Sequence, residues 1–345
     1  MRRRPPRPNP APPPVRLRDR LHPPAPPHDT AELTGFTART PHRCTVPVPD
    51  PVSGTATDVA VWQYPAHGDD GARPPLVFVH GFRGDHHGLA LVADALPEHT
   101  VHSVELPGFG ASAAFPDAEH TVAHHAAAVR AAVDALLGPD PARTPLLVAH
   151  SYGTIVASHL VAKDPTRWAG LVLLNPIAEP ALDASGSMTA RAAAWTAEAY
   201  YELAARLPER PGRALLGAAP AVWATTLLMS RTRDRRVLAY THDQHRRWFS
   251  AFASRRMLAE AYRASTTSTV LDAAPSLHLP VTLVAGAEDP LGSVAAQQHL
   301  AAAIDAAGGH ADLHVLDGVG HLLHYERPLE CAALIRRASS PTAAG

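Results

Sequence analysis

An alternation of short apolar runs with helical stretches constrains this chain more than any other feature. Aliphatic or period-two runs recur at Thr45–Val48, Asp58–Tyr64, Leu76–Val79, Thr100–Val104, Leu146–Ala149, Gly170–Leu174, Val281–Ala285 and Ala311–Leu316. From Leu76 onward most of them are followed by turn residues and then by helical sequence, as at Ala123–Leu137 and Ser293–Ala307. Strands separated by helices cross over and lie parallel, and the helices cover both faces of the sheet. The expected class is therefore α/β with a mostly parallel sheet. The first two runs have no helix between them and are expected to form an antiparallel edge. No internal repeat is visible. With 345 residues, 46% of them hydrophobic, the chain can build one large domain with an insertion, or two domains.

The alternation stops between about Ala178 and Asp272. That stretch has helical periodicity, with Trp195, Ala199, Glu202, Leu203 and Arg206 on one spacing and further helices expected at Val222–Met229, Arg235–His245 and Trp248–Tyr262. The reading is a core of residues 31–177 and 273–345 interrupted by a helical cap, 178–272. The cap carries nine of the 19 aromatic residues, which can hold a small helical layer together and also roof an apolar pocket.

Residues 1–30 are rich in Arg and Pro and offer almost nothing apolar to bury, so a disordered, polyproline-like tail is expected. No apolar segment follows its arginines, so it does not read as a secretory signal. No run approaches the roughly 20 apolar residues of a membrane helix, and stable membrane insertion is not expected. A formal net charge of -1 gives no general argument for nucleic-acid binding. Lys163 is the single lysine among 31 basic residues, which reads as compositional bias. Cys44 and Cys331 have no metal-ligand spacing; two free thiols suit a reducing, cytoplasmic setting.

One of the strand-to-helix junctions is unusual. Leu146–Ala149 runs through His150 into Ser151-Tyr152-Gly153, and helical sequence resumes near Thr154. A serine flanked two residues away on each side by Ala149 and Gly153 fits a turn so sharp that those flanking residues nearly touch. Such a turn holds the serine in a strained conformation with its hydroxyl raised above the sheet, beside the free N–H groups of a helix start. A structural serine has no use for that arrangement, whereas a nucleophile does.

Four further motifs accompany it in order: "PLVFVHGF" at 75–82, "ELPGFGAS" at 105–112, "PVTLVAGAEDPL" at 280–291 and "GVGHLLHYERP" at 318–328. Together with the Ser151 junction, they resemble the α/β-hydrolase superfamily from roughly Leu76 to Leu329. Glu105 stands where that family usually has aspartate, and Ala149 where its first small residue is usually glycine. The resemblance implies the α/β-hydrolase fold with Ser151 as nucleophile, His321 as general base and Asp289 as the acid that orients it. It places the oxyanion hole at the backbone N–H groups of Phe82 and Tyr152.

Rivals exist for these roles. His324 lies close to His321, but only His321 has the family's following Glu326 and Pro328. Glu288 adjoins Asp289, which has the family spacing from Gly286. Some relatives carry the acid after the strand that here ends at Asn175, and asparagine has no carboxylate. His80 and His150 are expected to bond nearby backbone. His86 and His87 could border a pocket, although loop decoration is the plainer reading in a chain of 22 histidines. Ser112 and Ser158 lie on no such junction.

A serine nucleophile implies acyl transfer on a small-molecule acyl substrate with an apolar portion, and carboxylic ester hydrolysis above amide, thioester, lactone or C–C cleavage. No cofactor or metal is implied. A cofactor-free perhydrolase or haloperoxidase-like activity, and a non-catalytic ligand-binding member, are the alternatives. Between Ser187 and Val270, 13 arginines outnumber six acids, which would suit an anionic substrate but equally a solvated helix surface.

Overall fold

A computed structural model describes residues 24–68, 73–138, 144–180 and 188–340. Its centre is an eight-stranded sheet of β1 (His42–Pro49), β2 (Ala56–Tyr64), β3 (Leu76–Val79), β4 (Val101–Val104), β5 (Leu146–His150), β6 (Gly170–Leu174), β7 (Pro280–Gly286) and β8 (His310–Leu316). The order across the sheet is β1-β2-β4-β3-β5-β6-β7-β8. β1 and β2 pair antiparallel, as do β2 and β4. The remaining pairings are parallel. This is the α/β-hydrolase fold, and all eight strands fall on the runs visible in the sequence.

Period-two side-chain direction divides the interior into two cores. Val77, Val79, Leu147, Ala149, Leu171 and Leu173 face one layer with Val129 and Ile155. These last two lie on helices α3 (Val122–Leu137) and α4 (Tyr152–Lys163), which follow α1 (Ala31–Thr34) and α2 (Ala90–Asp94) in the chain. Leu76, Phe78, Leu146, Val148, Val172 and Leu174 face the other layer with Val92, Leu96, Cys331 and Ile335. The central strands are apolar on both sides because both sides are covered.

Between β6 and β7 the described residues form five helices: α5 (Met188–Arg206), α6 (Glu209–Leu216), α7 (Ala219–Met229), α8 (Arg235–Trp248) and α9 (Arg255–Thr267). After β7 come α10 (Val294–Ala306), α11 (Leu323–Glu326) and α12 (Pro328–Ala338). One helical expectation needs correction. The helix expected over Trp248–Tyr262 is broken at 249–254, where Phe252 makes a β-bridge to Phe109 and the Ser254 side chain caps α9 by accepting from Met257 N–H. α6, over which no helix was expected, contains a Pro-Gly pair at 211–212. Proline is tolerated in a first turn, where its missing N–H would have had no helical partner. Gly212 lets α6 approach α5 so closely that a Cβ there would lie 2.6 Å from the Ala204 carbonyl.

Residues 1–23 of the Arg/Pro tail lie outside the described residues. From Pro24 the chain runs without regular structure into α1, and the Thr30 hydroxyl donates to Asp94 at 3.4 Å. Cys44 and Cys331 are both free. Among the described residues no helix is long and apolar enough to cross a membrane.

Among the described residues ten histidines are buried. Burial pushes His150 and His245 down to about 3, and it lowers His80, His99, His120, His125 and His324 as well. Below the ordinary histidine value near 6.5 the unfolded chain therefore binds more protons than the folded one, so this stability is complete above about pH 6.5 and declines as pH falls toward about 3. Denaturant midpoints measured from about pH 8 downward should already fall between about pH 6.5 and 5, before ordinary carboxylates titrate. A flat profile over that window would contradict the account.

Candidate active site

The site lies at the C-terminal ends of the parallel strands. Among the described residues three non-glycine residues adopt positive φ: Arg83 at 60°, Ser151 at 53° and Asn175 at 46°. They follow β3, β5 and β6, so the strained backbone is concentrated at one end of the sheet. Ser151 is the single residue between β5 and α4, and its N–H donates to the Leu174 carbonyl on β6 at 3.1 Å. The need for glycine at 153 has a different cause from the one expected. A Cβ there would sit 2.5 Å from the His80 carbonyl and 2.6 Å from that of Val79, so the close approach is to the end of β3, not to Ala149.

Ser151 is largely buried, 8% exposed, and its hydroxyl meets the His321 ring. Ser151 Oγ lies 2.8 Å from His321 Nε2, and His321 Nδ1 lies 2.8 Å from Asp289 Oδ2. The other Asp289 oxygen accepts the Leu291 N–H at 2.8 Å. That leaves the ring's Nδ1–H to donate to Asp289 and its Nε2 to accept from the serine. The rivals are elsewhere. Glu288 is more than half exposed and faces Arg231 at 3.8 Å, and Asp317 is exposed. His324 is buried and packs on the His150 ring, 4.0 Å between centroids.

The backbone of His321 is held from three directions. Its N–H donates to the Met229 carbonyl at the end of α7. Its carbonyl accepts from His150 Nε2 at 3.0 Å and from Asn175 Nδ2 at 2.9 Å. Asn175 also donates to the Gly320 carbonyl at 2.9 Å, and its Oδ1 accepts the Gly286 N–H at 2.7 Å. One amide thus ties the end of β6 to the end of β7 and to the histidine loop. Buried Glu326 closes the loop from the other side, accepting the Arg231 N–H at 2.8 Å.

His80 and His150 bond backbone. His80 Nε2 accepts the Leu106 N–H at 3.0 Å while its Nδ1–H donates to the Gly81 carbonyl at 2.8 Å. Those two bonds fix the tautomer and shape the turn that carries Phe82. The Phe82 N–H makes no backbone hydrogen bond among the described residues, and the Tyr152 N–H, first in α4, has no helical acceptor. Ser112 accepts the Ala60 N–H and donates to the Glu105 carbonyl, and Ser158 donates to Thr154; both are structural.

His86 and His87 are more than loop decoration. His86 Nδ1 lies 2.6 Å from Glu105 Oε1, the carboxylate in place of the usual aspartate. Burial alone would raise Glu105; the His86 ring and the Ala111 N–H outweigh it and hold the carboxyl below its ordinary range. The rings stack in a column, Trp62 on His86, His86 against His87 and His87 on Trp248 of α8, each step 3.8–3.9 Å between centroids. Asp85, His86 and His87 bring potential metal ligand atoms within 4.8 Å. However, Nδ1 of each histidine is already engaged, with Glu105 and Asp85 respectively.

Above Ser151 and His321 is a cavity of about 610 Å³, walled by Phe82, Tyr201, Trp248, Phe249, Tyr262 and Leu291 among others. That is the size and apolar character of a small-molecule site.

Sheet topology, strand-end site and apolar cavity define an α/β enzyme of the hydrolase type. The chain belongs to the alpha/beta hydrolase family, whose pattern it matches over residues 76–334. Among solved structures it is similar to a thermophilic esterase from Thermogutta terrifontis, with 19% identity, TM-score 0.64, and 86% of this chain and 100% of that one covered. It is also similar to a bromoperoxidase from Bacillus anthracis, with 15% identity, TM-score 0.65, and coverage of 86% and 99%. A third is a hydrolase from Pseudomonas aeruginosa PA01, with 20% identity, TM-score 0.63, and coverage of 86% and 98%. At these identities the likeness is one of fold. No curated protein matches the sequence significantly.

Sequence reasoning treated Asn175 only as a position lacking a carboxylate and gave Arg83 no role. Asn175→Asp, nearly isosteric, would keep the bond from Gly286 but set a carboxylate oxygen against two carbonyls. With ester turnover as the assay, kcat should fall at least about tenfold while circular dichroism still reports a folded protein. Wild-type kcat would show that the amide does not hold His321.

Proposed function

We propose that this protein is a serine hydrolase that cleaves a carboxylic ester, or a closely related acyl substrate, through an acyl-enzyme. The observation that carries the reading is the continuous hydrogen-bond chain from Asp289 through His321 to Ser151, with 2.8 Å at each link. Ser151 Oγ attacks the substrate carbonyl as its proton passes to His321 Nε2. The positive charge that develops on the ring is stabilised by Asp289 through Nδ1–H. The tetrahedral oxyanion is received by the N–H groups of Phe82 and Tyr152, fixed donors that need no reorganisation as charge develops. His321 then returns its proton to the departing alcohol. Water, deprotonated by the same ring, releases the acid from Ser151.

The helices between β6 and β7 act in this reading as a cap. Its aromatic side chains give the cavity a preference for an acyl substrate with an apolar portion. No cofactor takes part, and the two free thiols suit the cytoplasm. The identity of the leaving group is open to assay with a panel of acyl esters of graded length.

Ser151→Ala should fold with unchanged secondary structure and lower kcat for any ester the wild type cleaves by roughly four orders of magnitude or more. Near wild-type turnover in that variant would remove serine as the nucleophile.

A further inference from the structure

Arg83 stands in the turn after β3, one residue beyond Phe82. Its φ of 60° lies in the region that favours glycine. An arginine is held there by what its side chain does. The residue is 3% exposed, and its charge is met by oxygens and ring faces of the helical insertion rather than by a carboxylate. Nε donates to the Phe249 carbonyl at 3.0 Å, and Nη2 to the Leu216 carbonyl at 2.8 Å and the Ser250 hydroxyl at 3.5 Å. Nη1 donates to the Tyr201 hydroxyl at 3.3 Å. The guanidinium lies 4.2 Å from the centre of the Phe249 ring and 5.6 Å from that of Phe252. One side chain thus grips α5, the end of α6 and the 249–252 break between α8 and α9. The turn itself is closed by the Gly84 N–H on the Gly81 carbonyl, with Phe82 inside it.

We propose that Arg83 is a positioning residue that fixes the Phe82 N–H of the oxyanion hole by fastening its turn to the cap, so that the hole is complete only when the cap is seated. The proposal rests on the hydrolase reading above. A planar fork with five donors can hold backbone carbonyls and a hydroxyl on three separate segments at once, which an ammonium group cannot. The break in the helical layer at 249–254 presents the Phe249 carbonyl and the Ser250 hydroxyl to this fork.

The test compares a small ester, p-nitrophenyl acetate, with p-nitrophenyl octanoate, whose chain fills the cavity beneath the cap. Arg83→Gly retains the positive φ without strain while releasing the cap. If Arg83 acts through the oxyanion hole, kcat falls by about 10- to 100-fold on both esters, and KM for the acetate stays within about twofold. Arg83→Lys, which keeps charge but not the fork, gives an intermediate kcat on both, and carries the same comparison should the glycine variant not fold. If Arg83 only shapes the pocket, the acetate kcat stays at the wild-type value in both variants and only KM for the octanoate rises; that result overturns the proposal. Failure of the underlying hydrolase reading has a different sign, Ser151→Ala retaining wild-type rates on both esters.

Discussion

His321 uses both ring nitrogens at once, and these two bonds tie together the end of the sheet. Nδ1 faces Asp289, which follows β7, and Nε2 faces Ser151, which follows β5. The histidine itself arrives on a loop after β8, at the far edge of the sheet. A ring so constrained can move little, so its backbone is pinned: the carbonyl by His150 and Asn175, the N–H by Met229 of the insertion. His150 can serve as a neutral donor because burial holds it down to about 3, which keeps a positive charge on His150 away from the His321 ring.

The same logic accounts for the strained backbone. Ser151, Asn175 and Arg83 each have positive φ, and each makes a long-range contact that a relaxed turn would not place. Ser151 reaches the imidazole, Asn175 bonds two other loops and Arg83 reaches into the insertion. Strain of this kind costs about 1–3 kcal/mol per residue and persists only where the surrounding structure fixes it. Here the fixing comes from a parallel sheet buried on both faces.

Most of the fold was legible because buried parallel strands announce themselves as apolar runs, and each of the eight strands lies on one. The residues of the site were legible as a pattern of spacing, and the folded chain brings Ser151, Asp289 and His321 together. What escaped reading was long-range. Gly153 is needed because β3 ends against it, a contact invisible in the local sequence. The break at 249–254 is met by Phe109 and Arg83, far away in the chain. Asn175 looked like a lost carboxylate, yet its amide offers the donors and the acceptor that its three backbone partners require. His86 and His87 read as loop decoration because stacking on Trp62 and Trp248 cannot be inferred from spacing.

The central claim is that Ser151, activated by His321, forms a covalent bond to the substrate. Intact-protein mass spectrometry after brief exposure to a fluorophosphonate, followed by peptide mapping, tests it most directly. The account predicts a single adduct per chain, carried by the peptide containing Ser151 and blocking ester turnover in proportion to labelling. An unlabelled protein that still hydrolyses esters, or an adduct on another residue with turnover lost, would contradict it.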